Sequence, residues 1–451
     1  MRALTAWWSA LFSARRLPSL SISRRGKNRP GRPELASESR LINTTARAAV
    51  TSIPIFGARR PLIDHRGSVA GFEFRLPPVV AERLAQQSND VAIAAHATAL
   101  LVSMRATIEA GRTALIALPV TLLSRPAVLE AIPRGVWVAI TDADQPSMRT
   151  EHALQTLAAL SRSGAKLGGV GKAIPAGDFV VLDATNMTAM RLVEDVTSIR
   201  AARGKVEVVA TGISSIGDLE LLLNSGINLA AGIVDTTTTV LERTPMSPRL
   251  QQICRLIHHV VSDQDLVETM RVLRSEVELS YQLLRQVNTA THGQTRPVDS
   301  LDHAAMLMGR DGLYTWLTML LLTGGSGRAT SHALREIALS RARLLERLAG
   351  YDTTSTTSRS TMFTLGLLSL LDVMLQTTMA DALDNLPLAP PLRAALVEKS
   401  GELRPALELV QALESGDLAC AADLARPYGG LESVIAESDE AWAWAAQAVR
   451  H

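Results

Sequence analysis

The feature that most limits how this chain can fold is a change of period near residue 241. From Ile53 to about Leu241, short apolar and β-branched runs alternate with helix-length stretches. Strands are predicted at Val69–Phe74, Ala114–Leu118, Val136–Thr141, Phe179–Asp183, Val206–Ala210 and Leu229–Val234, with a weaker one at Lys166–Val170. Between Asp90 and Gly111, Ala94, Ala97, Leu101, Met104 and Ile108 recur at helical spacing. Further helices fit Met148–Ser163, Met187–Arg203 and Ile216–Asn224. So many consecutive strand–helix units in so short a stretch favour a closed, parallel βα barrel over an open sheet.

Beyond Thr244 the strand signals stop, and Leu250, Ile253, Ile257 and Val260 open a run of amphipathic helices. Helices are predicted at Leu266–Arg274, Val277–Thr289, Leu301–Met308, Tyr314–Leu322, His332–Ala349, Phe363–Leu375 and Leu403–Leu413. Polar loops fall at Gly293–Pro297, Gly324–Gly327 and Thr353–Thr361. The boundary at Pro245–Pro248 is too short for a long linker, so the halves are expected to move together. The expected division is 1–50 as a tail, 51–243 as the barrel and 244–451 as the helical domain.

Hydrophobic residues at 47% of the 451 positions exclude a disordered chain. The charge balance of 46 basic to 44 acidic residues is too even for a protein that coats nucleic acid, and no specific nucleic-acid partner is expected. Residues 1–40 nevertheless hold nine basic residues against two acidic ones. Trp7, Trp8, Leu11 and Phe12 followed by Arg15 and Arg16 suit an amphipathic segment lying on an anionic membrane surface. A signal peptide and a dispensable extension or misassigned start are the alternatives. With no apolar run of about 18 residues and only Cys254 and Cys420, the expected location is cytoplasmic, or peripheral at the inner membrane. Both cysteines read as helix-core residues.

Several segments in order resemble a known pairing, an EAL-type TIM-like βα barrel followed by an HDOD-type helical domain, found in bacterial signal-transduction proteins linked to cyclic di-GMP. In the barrel these are Ala58 to Asp64 leading into Val69-Ala70-Gly71-Phe72-Glu73, then Ala139-Ile140-Thr141-Asp142, then Val209-Ala210-Thr211-Gly212-Ile213 before Gly226 and Gly232. In the helical half they are Leu283 to Asn288, Ser300 to Ala304 with Gly309, and the most specific block, Gly366-Leu367-Leu368-Ser369-Leu370-Leu371-Asp372. The fold class implied is α/β plus all-α.

The resemblance implies a site for two metal ions and a lysine, and most of that set has changed here. Glu73 takes the place of the family's naming glutamate, Asp183 that of the aspartate ending its Lys-x-Asp strand, and Asp142 closes the matching segment that begins at Ala139. Val181 stands at the lysine, Ala139 and Thr211 at ligand glutamates, and Ala231 at the glutamine. The expected asparagine is replaced within Ile116–Pro119, and an Asp-Asp-Phe-Gly segment has no counterpart between Gly164 and Asp178. Losing most of a ligand shell removes a site. The expectation is therefore a pseudoenzyme with no catalytic residue, bound metal or cofactor, in which Glu73, Asp183 and Asp142 are relics.

Arg75 lies two residues beyond Glu73 on the same strand face, while Pro77 stands at the family's arginine. Arg75 is expected either to touch a phosphate or to pair with a carboxylate. The glycines at 164, 168, 169 and 171 follow neither phosphate-loop order and read as a shortened connection. The helical half has no His-Asp dipeptide, and adjacent His258 and His259 point about 100° apart on a helix. His303 follows Asp302 in reversed order, and His292 and His332 lie near loops. The expected function is a scaffold or regulator that binds other signalling proteins. The alternatives are a cyclic di-GMP receptor without turnover and a divergent phosphodiesterase.

Overall fold

The computed structural model describes residues 58–449 apart from 77–90, 143–149, 172–173, 175–176, 204–205, 233–247, 262–265, 291–297, 299, 324–329, 352–356, 385 and 387. The basic tail, His292 and the loops expected at 293–297 and 324–327 lie outside the described residues.

Eight strands close into a barrel in chain order: β1 (Ala58–Asp64), β2 (Val69–Arg75), β3 (Thr113–Leu118), β4 (Trp137–Ile140), β5 (Lys166–Val170), β6 (Phe179–Asp183), β7 (Glu207–Ile213) and β8 (Leu229–Gly232). Six neighbouring pairs are parallel, as expected of βα units. β1 corrects the all-parallel expectation, because it runs antiparallel to both β2 and β8. A turn from Asp64 to Ser68 joins β1 to β2, with Ser68 O accepting from Asp64 N and Asp64 Oδ1 accepting from the Ser68 and Arg66 amides. So tight a turn holds no helix to cover β1.

The described helices of this half are α1 (Val91–Glu109), α2 (Val120–Leu123), α3 (Pro126–Ala131), α4 (Glu151–Arg162), α5 (Ala189–Arg203) and α6 (Ile216–Asn224). Their starts follow local chemistry: Thr150 Oγ1 caps α4 at the Ala153 amide, and Ser215 Oγ caps α6 at the Asp218 amide. The strands alternate. Leu62, Leu115, Trp137, Phe179, Val181 and Val209 fill the barrel interior, whereas Ile116, Val138, Val180, Val208 and Ala230 join the outer core with the helices. At the N-terminal ends of the parallel strands, Trp137 and Phe179 pack with centroids 4.9 Å apart. Lys166 Nζ lies 4.3 Å from the Trp137 centroid and 3.0 Å from Glu207. Gly168 belongs to β5 and not to a connection; a Cβ there would meet the Phe179 ring at 2.5 Å, so the glycine makes room for that plug.

From Pro248 onward the described residues form helices only: α7 (Pro248–Val261), α8 (Leu266–Ser275), α9 (Val277–Ala290), α10 (Leu301–Thr323), α11 (Ser331–Leu348), α12 (Arg359–Leu368), α13 (Leu371–Leu375), α14 (Met379–Leu383), α15 (Pro390–Leu396), α16 (Arg404–Ser415), α17 (Leu418–Leu424) and α18 (Leu431–Val449), with one 3₁₀ turn at Arg426–Tyr428. The expected break between two helices at 308–314 is a kink at Gly309, whose φ of 66° leaves the helical region. The expected helix at Phe363–Leu375 divides into α12 and α13, because Ser369 Oγ turns back to the Gly366 carbonyl.

The two halves touch closely. Phe72 of β2 packs edge-on against Trp442 of α18 at 4.9 Å. Arg59 pairs with Asp439, and Arg112 with Glu336 at 2.5 Å. The Gly67 carbonyl accepts from the Ala333 amide, and Glu220 Oε1 accepts from Thr330 Oγ1 at 2.6 Å. Among the described residues no helix is long and apolar enough to cross a membrane.

Candidate functional site

At the C-terminal ends of the parallel strands the barrel opens into a cavity of about 550 Å³, within the roughly 300–1,000 Å³ typical of small-molecule sites. Alternation brings Glu73 and Arg75 from β2, Asp183 from β6 and Thr211 from β7 to its wall. Because β1 is antiparallel, its first residues reach the same end, and Arg60 sits beside its register partner Glu73. Thr121, Thr141 and Thr185 add hydroxyls, while Ala117, Ala139, Val170 and Val181 line the remainder without charge. Val181 is 4% exposed in the interior layer.

The carboxylates differ in their freedom. Asp142 is buried and accepts from the Val120 amide at 2.8 Å, which ties it to the start of α2. Asp183 Oδ1 accepts from the Thr185 amide and from Thr185 Oγ1, at 3.0 and 2.5 Å. Gly212 permits that turn, since a Cβ there would lie 2.7 Å from Asp183 Oδ1 and its φ is 73°. Glu73 is held more loosely. Its Oε1 stands 4.0 Å from Arg75 Nε, and its buried Oε2 has no hydrogen-bond partner among the described residues.

Arg75 is half-exposed, and so loose a pair contributes at most about 1 kcal/mol. Burial raises the Glu73 pKa, Arg75 and Arg60 pull it down, and Asp183 adds to the rise. Arg60 is buried, and its pKa is lowered first by that burial and then by Arg75, with Glu73 and Asp183 opposing. Arg60 was not singled out by the sequence. The available signal was alternation across Arg59-Arg60-Pro61-Leu62-Ile63, which sends Arg60 and Leu62 inward once that segment is read as a strand.

The two-metal set implied by the family resemblance does not fit this wall. Among the described residues no group of three or more His, Cys, Asp or Glu side chains could hold a metal ion, and two of the three mouth carboxylates already accept from neighbouring donors. What the wall offers is two guanidinium groups, hydroxyls and three carboxylates, of which only Glu73 is under-paired.

Elsewhere, His258 is exposed and His259 half-buried, with ring planes 76° apart. His303 is exposed near the start of α10, and exposed His332 contacts Arg335 at 3.0 Å. Cys254 is a core residue whose thiol is pushed up to about 11 by burial. Cys420 corrects the sequence reading: it is exposed on the short α17, facing a cleft between the halves.

The Glu73 shift fixes the sign of a pH effect. A carboxyl whose folded pKa lies above its unfolded value, near 4.3, binds more protons in the folded state between those values, so its contribution falls as pH rises through the folded pKa. Urea midpoints for the native protein should therefore decline, relative to those of Glu73→Gln, as pH rises above the ordinary carboxylate range. Parallel curves for the two proteins would contradict the assignment.

A closed eight-stranded barrel with a polar mouth, joined to a helical half, defines the class of protein. No known protein-family profile matches the chain. Its sequence is similar to the cyclic di-GMP phosphodiesterase CdgJ of Vibrio cholerae, 24% identical over 245 residues covering 54% of this chain and 56% of that protein. It is also similar to the uncharacterized protein YuxH of Bacillus subtilis, 24% identical over 198 residues covering 43% and 48%. The chain thus spans about half the length of the curated relatives it matches. Among solved structures, the FimX EAL domain of Xanthomonas citri in complex with c-diGMP aligns with 39% of this chain and 85% of that one, at 15% identity and a TM-score of 0.33.

Proposed function

We propose that the chain is a non-catalytic signalling protein in which a degenerate EAL-like barrel, residues 51–243, and an HDOD-type helical domain, residues 244–451, act by binding. Similarity to a cyclic di-GMP phosphodiesterase supports the signalling context. The observation that carries the non-catalytic reading is the mouth wall itself. Val181, Ala139 and Thr211 occupy the places where the resemblance requires a lysine and carboxylates, and hydrolysis by two metal ions needs several oxygen ligands converging at once.

The open cavity with Arg60 and Arg75 on its wall favours one form of this reading, a receptor for cyclic di-GMP that does not cleave it. Guanidinium groups recognise phosphate oxygens without a metal. Partner signalling proteins would then engage the helical domain, and an anionic membrane surface would engage the basic tail.

Incubated with cyclic di-GMP and Mg²⁺ or Mn²⁺, the purified protein should release no linear dinucleotide, while calorimetric titration should detect binding. Thr211→Glu should not restore turnover, because a two-metal site fails as a unit. Metal-dependent hydrolysis abolished by Glu73→Ala would overturn the proposal.

A further inference from the structure

Arg60 faces two ways. Its guanidinium lines the barrel mouth beside Glu73, Arg75 and Asp183, yet its Nη2 leaves the barrel and donates to the Ser415 carbonyl at 2.6 Å. Ser415 is the last residue of α16, where helix carbonyls have no partner within the helix, and Gly416 closes it in the left-handed conformation at φ 87°. A side chain of the barrel mouth therefore caps a helix of the other half, the end at which a positive charge is favoured.

The contact continues inward. Glu414, one residue earlier, accepts from Arg341 Nε at 2.8 Å and from Nη2 at 2.5 Å. Arg341, 3% exposed, also donates to Ser369 Oγ at 3.1 Å, within the Gly366–Asp372 block. At the mouth end the polar atoms are incomplete: Arg60 Nε and Glu73 Oε2 are both buried with no hydrogen-bond partner among the described residues. A buried guanidinium donor without an acceptor is costly, and Arg75 beside it adds repulsion.

We propose that Arg60 couples occupancy of the barrel mouth to the docking of α16: an anionic ligand group accepted by the mouth engages the Arg60 guanidinium while Nη2 keeps the Ser415 carbonyl. This rests on the receptor reading above. The two bonds use different nitrogens of one planar fork, so they coexist and each fixes the orientation the other needs. Binding in the mouth thus tightens the helical half against the barrel, and by linkage a well-docked helical half raises affinity in the mouth.

The full chain is followed by amide hydrogen exchange over residues 404–424, with and without cyclic di-GMP as the probe, alongside calorimetric titration of the same samples. Exchange in that segment should slow by about 5-fold or more, the lower end of ordinary coupling between sites, and Arg60→Gln should lose this slowing. Binding with unchanged exchange in the native protein overturns the coupling and leaves the receptor reading standing. Binding with equal slowing in a folded Arg60→Gln removes Arg60 from the path and also overturns it. A titration without binding overturns both. The native protein alone, with and without the probe, decides the first and last of these, so a variant that fails to fold does not block the test.

Discussion

Residues 51–243 produced alone are expected to aggregate or to remain loosely packed, although they hold every strand of the barrel. In a βα barrel each strand needs cover on its outer face, and that cover comes from the helix following it. Here β1 passes to β2 through a tight turn, so the outer face of β1 depends on another source. The helical half supplies it: Trp442 of α18 lies on Phe72, Asp439 pairs with Arg59, Glu336 of α11 pairs with Arg112, and α16 packs on β1.

Phe72 is 3% exposed in the whole chain, and exposing one such side chain costs about 1.5–3 kcal/mol. Arg59 and Arg112, which both stack over the Phe72 ring, would lose their carboxylates at the same time. Against a typical stability of about 5–15 kcal/mol, several losses on one face remove most of the margin. The fragment should give poor solubility, weak near-ultraviolet dichroism and broad unfolding, whereas the full chain unfolds cooperatively. A soluble monomeric fragment with a sharp transition would show that the barrel completes itself by other means.

Strand and helix periods were legible in the sequence wherever one face is buried. The segments at Phe179–Asp183 and Ile216–Asn224 match the observed elements, because a short apolar run with two valines and a helical apolar spacing mark them directly. β1 was not legible as a strand, since Arg59, Arg60 and Pro61 are poor strand residues in isolation; tertiary contacts with Asp439 and Ser415 hold the two arginines in place. The C-terminal helix Leu431–Val449 was missed for a similar reason. Its small residues, Ala441, Ala445 and Ala448, give a weak periodic signal but allow close packing on α11. In the mouth, Glu73, Arg75 and Asp183 were legible as wall residues, while the part played by Arg60 depends on a carbonyl 355 residues away. No local pattern encodes that.

The second large effect concerns Gly366, the first residue of the block that gave the helical half its most specific sequence signal. A Cβ placed there would lie 2.4 Å from the Ala342 amide nitrogen and 2.5 Å from the Ala342 Cα. Both are backbone atoms of α11, so no side-chain rotation relieves the clash, and α11 and α12 would have to separate along their shared face. That face carries Phe363, Leu345 and Leu365, all almost fully buried, and the neighbouring Arg341 would be drawn away from Ser369 and Glu414. Overpacking a rigid contact costs about 1–3 kcal/mol, and weakening a buried, multiply bonded guanidinium adds to it. Gly366→Ala should therefore destabilise the chain by about 3 kcal/mol or more, read as a lowered urea midpoint with an unchanged slope. Gly217→Ala supplies the contrast. Gly217 lies in the first turn of α6 with only Ser215 Oγ near, at 3.9 Å, so the same substitution there should stabilise by about 0.4–1 kcal/mol through reduced freedom of the unfolded chain. If both variants shift the midpoint in the same direction, the close crossing at Gly366 is not what holds α11 against α12.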